Sequence, residues 1–389
     1  MSNHPYVFVH GMMGWGTDKK LYKVLPYWGM VTGNYIKRIN NMGYEAYAPS
    51  VSPLGSAWDR ACELYAQLTG TRVDYGKAHS AKFGHERYGR TYDKPFVPDW
   101  TPERSIHLLG HSFGGPTMRA FAMLLEDGSE EERAATPKEE LSPLFEGGHI
   151  DLIKSITDIA GPFDGIMFPH ALPKLTDIGL YYGLAAVASV IGNIGSGRIY
   201  DFQLTQWGLT GPYEGERDWK KCLNFKNIKY FCKSYENVFS DIHIDRAMEL
   251  NKQYHEPDAY LYTVTGNGTE KDENGNFKRA PIMIFAFAPF ANWFGKFRGN
   301  VYGVEMTDEW RMNDGIVNVA SAIHPLTEKW QDFDAKAPQT KGIWNALPLV
   351  PGDHGTVIGG SLTFIGKEGA KRFRDAYDYW IKYLDNLPD

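Results

Sequence analysis

Short apolar runs alternate with amphipathic stretches along most of the chain. Tyr6-Val-Phe-Val9 reads as a buried strand ending at His10-Gly11, Tyr35 to Met42 as a helix, and Tyr44 to Tyr47 as a second strand. Trp58 to Leu68 carries apolar residues at helical spacing. Ile106 to Leu109 and Leu152 to Ile159 are buried-strand runs, and Pro116 to Glu126 is an apolar-faced helix that Gly128 can stop. Tyr260 to Thr265 and Met283 to Ala288 supply further strands, and Ala370 to Leu387 closes the chain as an amphipathic helix. Strands alternating with helices predict an α/β fold built on a mainly parallel sheet, with helices on both faces. Ile178 to Gly195 is uncharged over the length of a membrane span, but glycines interrupt it and no second such segment exists. A buried or mobile apolar helix is the expectation there, with no transmembrane span.

The chemistry concentrates at Gly110-His-Ser-Phe-Gly114, between the strand Ile106–Leu109 and the helix from Pro116. In a G-x-S-x-G turn of this kind the serine takes strained backbone angles that lift its hydroxyl, and the flanking small residues let strand and helix approach. Ser112 is therefore the candidate nucleophile. A strand ending in His-Gly places a backbone N–H near such a serine, and the amide after the serine supplies a second oxyanion donor. These are the amides of Met12 and Phe113.

Composition changes this picture little. The 389 residues hold 43% apolar residues, enough for one large domain with insertions. The balance of 41 basic against 47 acidic side chains, with no basic run, leaves no footprint for nucleic acid. Three cysteines, Cys62, Cys222 and Cys232, allow at most one bridge. Met1-Ser-Asn-His runs directly into the apolar Tyr6–Val9, without a signal-peptide pattern.

A serine hydroxyl needs an imidazole to take its proton, and the imidazole needs a carboxylate. In the order serine, acid, histidine, the histidines far enough downstream are His243, His255, His324 and His354. His354 lies in the turn Pro351-Gly-Asp-His-Gly355, after an apolar run and before the last helix. A lone loop histidine is ordinarily just solvated; chain order favours His354 as the base. Asp314, in the tight turn Asn313-Asp-Gly-Ile-Val-Asn318, is the acid, because Asp353 is too close in sequence to reach the far ring nitrogen.

Further motifs carry a family likeness: His10-Gly-Met-Met-Gly-Trp-Gly16, Trp58-Asp-Arg-Ala-Cys-Glu63, Val73-Asp-Tyr-Gly76 and Phe83-Gly-His-Glu-Arg-Tyr-Gly-Arg-Thr-Tyr92. Leu141 to His149, Tyr200 to Leu204, Gln206 to Leu209 and Asn313 to Asn318 add to it. The chain resembles the zinc-containing bacterial lipases of family I.5, known from Bacillus, Geobacillus and staphylococci, and the related clostridial polyester-cleaving esterases. The resemblance implies one α/β-hydrolase domain over residues 1–389, with Ser112, Asp314 and His354 as triad and the Met12 and Phe113 amides as oxyanion hole. It implies a lipase or esterase acting on acylglycerols or other apolar esters, or a short-chain or polyester-cleaving esterase. It further implies secretion and transient contact with lipid or polymer surfaces; oligomeric state stays open.

The resemblance also implies a structural zinc ion tied to an insertion at 57–95, with Asp59, His79 and His85 as ligands. Asp241 is the fourth, with Asp245 as the fallback. Two imidazoles and two carboxylates close a tetrahedral shell and leave no open position for catalysis. Residues 169–207 correspond to a lid. Thermophilic relatives carry calcium at positions that here hold Thr356, Ser361 and Leu362, which lack the charge a hard cation wants, so calcium is not expected. Gly110 and Phe113 stand where those relatives have alanine and glutamine. A non-catalytic lipid- or protein-binding module would require a missing triad member, and all three are present.

Overall fold

The structure, a computed structural model, describes residues 3–167, 174–191, 199–211, 222–361 and 366–388. Seven strands form the central sheet: β1 (Tyr6–Val9), β2 (Ala46–Tyr47), β3 (Ile106–His111), β4 (Ile153–Ile159), β5 (Tyr260–Val264), β6 (Trp330–Asp332) and β7 (Trp344–Ala346). Their order is β6-β7-β5-β4-β3-β1-β2, and every neighbouring pair is parallel. In register, Val9 faces Gly110, His111 faces Ile159, and Ile159 faces Val264. The carboxyl ends of β1, β3, β4 and β5 thus finish level, the edge where parallel sheets carry their sites.

Side chains alternate across the sheet because successive Cβ atoms in a strand point to opposite faces. Val7, Val9, Leu108 and Ile156 enter one core with α1 (Ala57–Thr69), and α2 (Lys77–Phe83) follows within the insertion. The same core takes α3 (Gly114–Glu126). Tyr6, Phe8, Leu109, Tyr260 and Tyr262 enter the opposite core, with the helix Tyr35–Asn41 and the last helix. Between them, α4 spans Lys174–Ile191, and the chain closes on α5 (Lys367–Asp385). Phe373, Trp380, Ile381 and Leu384 of α5 are buried; at about 1.5–3 kcal/mol per large apolar side chain, they are ample to seat it.

The insertion after α1 contains a short antiparallel pair, Arg72–Asp74 with Tyr88–Thr91, closed by α2. The expected strand over Met283–Ala288 is absent. That run forms a 3-10 turn, Phe285–Phe287, leading into the helix Ala288–Lys296, whose N-terminus holds Pro289. A short apolar run does not by itself separate strand from helix, and proline suits a first helical turn while it cannot donate to a sheet. The uncharged stretch starting at Ile178 lies mostly in α4; residues 192–195, with 169–173 and 196–198 of the expected lid, are outside the described residues. Among those described, no helix is long and apolar enough to cross a membrane.

Candidate active site and metal cluster

Ser112 occupies the turn between β3 and α3 with φ of 57°. A left-handed backbone costs an ordinary residue roughly 1–2 kcal/mol, and the surroundings hold it there. Its N–H donates to the Ile159 carbonyl (2.9 Å), and its own carbonyl accepts from Gly115 N–H (2.9 Å). The glycines explain how strand and helix meet so closely. A Cβ at Gly114 would lie 2.3 Å from the Val9 carbonyl oxygen, and one at Gly110 would lie 2.8 Å from the Gly114 backbone. Gly11 is equally confined: its Cβ would stand 2.6 Å from that of Ser112, so the loop after β1 runs directly against the serine. Among the described residues, the Ser112 hydroxyl takes part in no hydrogen bond.

Asp314 and His354 come together. His354 Nδ1 lies 2.7 Å from Asp314 Oδ2, and the His354 N–H donates to the Asp314 carbonyl (2.9 Å). The other carboxylate oxygen, Oδ1, accepts from the amides of Ile316 (3.0 Å) and Val317 (2.8 Å). Asp314 is 1% exposed and His354 7%. An ionised carboxylate only accepts, so the proton between them sits on Nδ1 and the Nε2 lone pair is left available. The His354 ring packs 4.6 Å, centroid to centroid, from that of His111, the residue before Ser112. Asp353 does not approach the ring. Its Oδ1 accepts from Gly355 N–H and Thr356 N–H and hydroxyl, and its Oδ2 from Ser361 hydroxyl and Ile284 N–H. Thr356 and Ser361, two of the positions compared with a calcium site, are thus committed to this carboxylate; Leu362 is outside the described residues.

Met12 and Phe113 flank the serine. Among the described residues neither amide meets a protein acceptor. The peptide carrying the Met12 N–H is fixed through its other end, since the Gly11 carbonyl accepts from Gly14 N–H (3.1 Å) and from His10 Nδ1 (2.9 Å). His10 Nε2 accepts from Val51 N–H (3.2 Å), which forces the ring proton onto Nδ1. Burial, with Arg60 nearby, holds that imidazole neutral, its pKa lowered to about 3.

A second cluster lies in the insertion. One donor atom each from Asp59, His79 and His85 fall within 4.8 Å of one another. Asp59 Oδ1, His79 Nε2 and His85 Nε2 are all buried without a hydrogen-bond partner, and orphaned buried polar atoms on two imidazoles and a carboxylate are the donor set of a metal site. Neighbours orient them: Gln206 Nε2 donates to Asp59 Oδ2 (2.9 Å), His85 Nδ1 bonds the Glu86 carbonyl (2.9 Å), and Trp58 stacks on His79 at 4.6 Å. Asp241 does not join the cluster. Its Oδ2 takes the Ala57 N–H at the start of α1 (2.9 Å), and burial, with Glu236 beside it, pushes its pKa up to about 7. Asp245 is exposed. The acid beside the cluster is Glu236, 97% buried, with Oε1 3.3 Å from His79 Nε2. It was not singled out from the sequence, where nothing local ranks it above Asp241, five residues on.

The comparisons with known proteins agree with this architecture. Lipase 1 of Staphylococcus aureus is 36% identical over 392 residues, which take in 98% of this chain and 54% of that protein; the chain therefore spans about half its length. The crystal structure of Staphylococcus hyicus lipase superposes with a TM-score of 0.83 at 31% identity, covering 99% of this chain and 96% of that one. EstA from Clostridium botulinum gives 0.82 at 33% identity, with 99% and 88% covered. The sheet is that of an α/β-hydrolase. Residues 2–387 match the family described as lipase-like, C-terminal domain, and the chain belongs to that family.

Proposed function

We propose that this chain hydrolyses carboxylic esters of apolar acids, acylglycerols foremost, with Ser112 as nucleophile, His354 as base and Asp314 as its carboxylate partner. The observation that carries the reading is the 2.7 Å contact between His354 Nδ1 and a buried Asp314, with the His354 ring 4.6 Å from that of His111, which directly precedes a serine in a left-handed turn. Ser112 Oγ attacks the ester carbonyl and gives its proton to His354 Nε2, whose charge Asp314 stabilises. The Met12 and Phe113 amides, free of protein acceptors among the described residues, receive the oxyanion. His354 then protonates the departing alcohol, and water, activated by the same imidazole, releases the acid. Among the described residues Ser112 and His354 share no hydrogen bond, and in this reading that bond forms with substrate bound, as is common in unliganded sites.

α4 and the flanking segments within 169–207 serve in this reading as the lid. Leu180 and Val187 are exposed apolar side chains on it, suited to a lipid surface. The metal cluster is read as a structural zinc site held by Asp59, His79, His85 and Glu236; when bound, zinc supplies a cross-link between α1, the insertion and the segment around residue 236. Secretion is part of the same reading, and activity in the medium of the producing cells tests it.

The deciding experiment is hydrolysis of a chain-length series of p-nitrophenyl esters and of emulsified triolein by wild type and Ser112→Ala. Cleavage of triolein that vanishes in the variant supports a lipase. Cleavage of short esters alone, still through Ser112, selects the short-chain or polyester-cleaving alternative. Full activity in the variant overturns the assignment.

A further inference from the structure

The loop after β1, the turn at Ser112 and the turn at His354 come from distant parts of the chain, yet one buried chain of hydrogen bonds joins them. Gly11 N–H lies 3.0 Å from Tyr27 Oη, Tyr27 Oη 2.6 Å from His111 Nδ1, and His111 Nε2 3.0 Å from the His354 carbonyl. Tyr27 and His111 are 7% and 3% exposed.

The ends fix every proton. The Gly11 amide can only donate and the His354 carbonyl can only accept. His111 therefore carries its proton on Nε2 and accepts at Nδ1, so Tyr27 must donate to Nδ1 while accepting from Gly11. Moving the ring proton to Nδ1 would set the Nε2 lone pair against the His354 carbonyl and leave the buried Tyr27 O–H without its acceptor, which costs more than the bond is worth. Burial and the same ordering keep His111 uncharged: a second proton, on Nδ1, would take away the only acceptor the buried Tyr27 O–H has among the described residues. A neutral ring then sits 4.6 Å from the His354 ring, where the reaction develops a positive charge.

We propose that Tyr27 and His111 are positioning residues that lock Gly11, and through it the adjoining Gly11–Met12 peptide, and the His354 turn to one another around Ser112. This rests on the hydrolase reading above. Neither residue touches the reacting atoms; they act through the Met12 amide and the His354 backbone. Their contribution belongs to the transition state, because a loosened oxyanion amide weakens binding of the tetrahedral anion more than binding of the ester.

The test compares Tyr27→Phe, His111→Leu and His111→Gln with wild type and with Ser112→Ala, using p-nitrophenyl butyrate and the tetrahedral mimic phenylboronic acid. Tyr27→Phe is expected to lower kcat about 10- to 100-fold with KM within about twofold, and boronate affinity should fall in step with kcat. His111→Leu should lose at least as much. His111→Gln can offer one N–H and one oxygen to the same two partners and should recover most of the loss. The Tyr27→Phe/His111→Leu pair should lose no more than the worse single variant, because both break one chain. Single variants within about twofold of wild-type kcat, a glutamine variant as poor as leucine, or additive losses would each overturn the proposal. If Ser112→Ala stays active, the hydrolase reading itself fails, whatever the other variants do.

Discussion

Asp314→Asn is an isosteric change whose effect can be worked out from the hydrogen bonds around it. In the native turn Oδ1 accepts from two amides, Ile316 and Val317, while Oδ2 faces His354 Nδ1. An asparagine amide has one oxygen and one NH2. Placing the NH2 against the two backbone donors would bury donor against donor, so the oxygen takes the Oδ1 position and the NH2 is turned toward His354. Nδ1 must then accept, and the ring proton moves to Nε2, where it faces Ser112 as a donor. The imidazole is intact but in the tautomer that cannot take the serine proton. Wrong-tautomer substitutions of this kind cost about 10⁴ in kcat in serine hydrolases, which is about 5.4 kcal/mol of barrier. Asp314→Ala removes the carboxylate but leaves room for water to accept from Nδ1–H, so alanine should be the less damaging change. The assay is kcat on p-nitrophenyl butyrate at saturation for both variants, with the fold checked by circular dichroism. If the asparagine variant keeps more than about a tenth of wild-type kcat, Asp314 does not set the His354 tautomer.

Four further outcomes are expected. Dialysis against a chelator is expected to lower the melting temperature and to strip about one zinc per chain. Glu236→Ala should weaken zinc binding, measured by competition with a chromophoric chelator, while Asp241→Asn leaves it within about tenfold; the reverse would restore Asp241 as a ligand. Asp353→Asn places an NH2 against donors from Ile284, Gly355, Thr356 or Ser361 and should cost about 1–3 kcal/mol in urea unfolding for each unsatisfied buried group; an unchanged midpoint refutes that role. Burial pushes the Asp164 pKa up to about 7 despite nearby Arg119, so the folded state holds a proton that the unfolded chain releases near 4. Stability contributed there is therefore lost as pH rises from about 4 toward 7, and Asp164→Asn should flatten that slope in unfolding measured across the window.

What the sequence makes legible divides along physical lines. The turn at Ser112 is written locally: a strand-length apolar run, glycines where Cβ atoms would collide, and a helix beginning at once. The Asp314 and His354 turns are readable because chain order narrows the choice. Local pattern fails where the third dimension decides. Glu236 and Asp241 are both acids in one short segment, and only the fold turns one toward His79 and the other onto the first amide of α1. The run at Met283–Ala288 is apolar enough for a strand, but Pro289 and packing beside the Asp314 turn, where Phe287 crowds Gly315, place it in a turn and helix instead. Tyr27 carries no pattern and His111 only a variable place in the serine turn; the outer partners of their hydrogen-bond chain are 16 and 243 residues away.

The candidate metal cluster and the proposed ester site are less separate than the distance between their motifs suggests, because α1 reaches both. Asp59 and Arg60 are consecutive, both fully buried, and leave the helix about 100° apart. Asp59 turns to His79 and His85, while Arg60 turns to the sheet, donating to the carbonyls of His10 and Ser52 and to the Thr117 hydroxyl and lying 5.2 Å over the Phe113 ring. Burial pulls the Arg60 pKa down to about 10, so it stays charged at neutral pH on the His10 carbonyl and over the Phe113 ring, next to the residues assigned to the oxyanion. His10, whose carbonyl Arg60 holds, is the residue that fixes the Gly11–Met12 peptide through its own ring. A metal that anchors Asp59 thereby anchors, one residue later, the group that braces the oxyanion loop. If the cluster holds the proposed zinc, the site can in this way act on turnover through α1, and loss of the metal should lower kcat at temperatures where the fold is still intact.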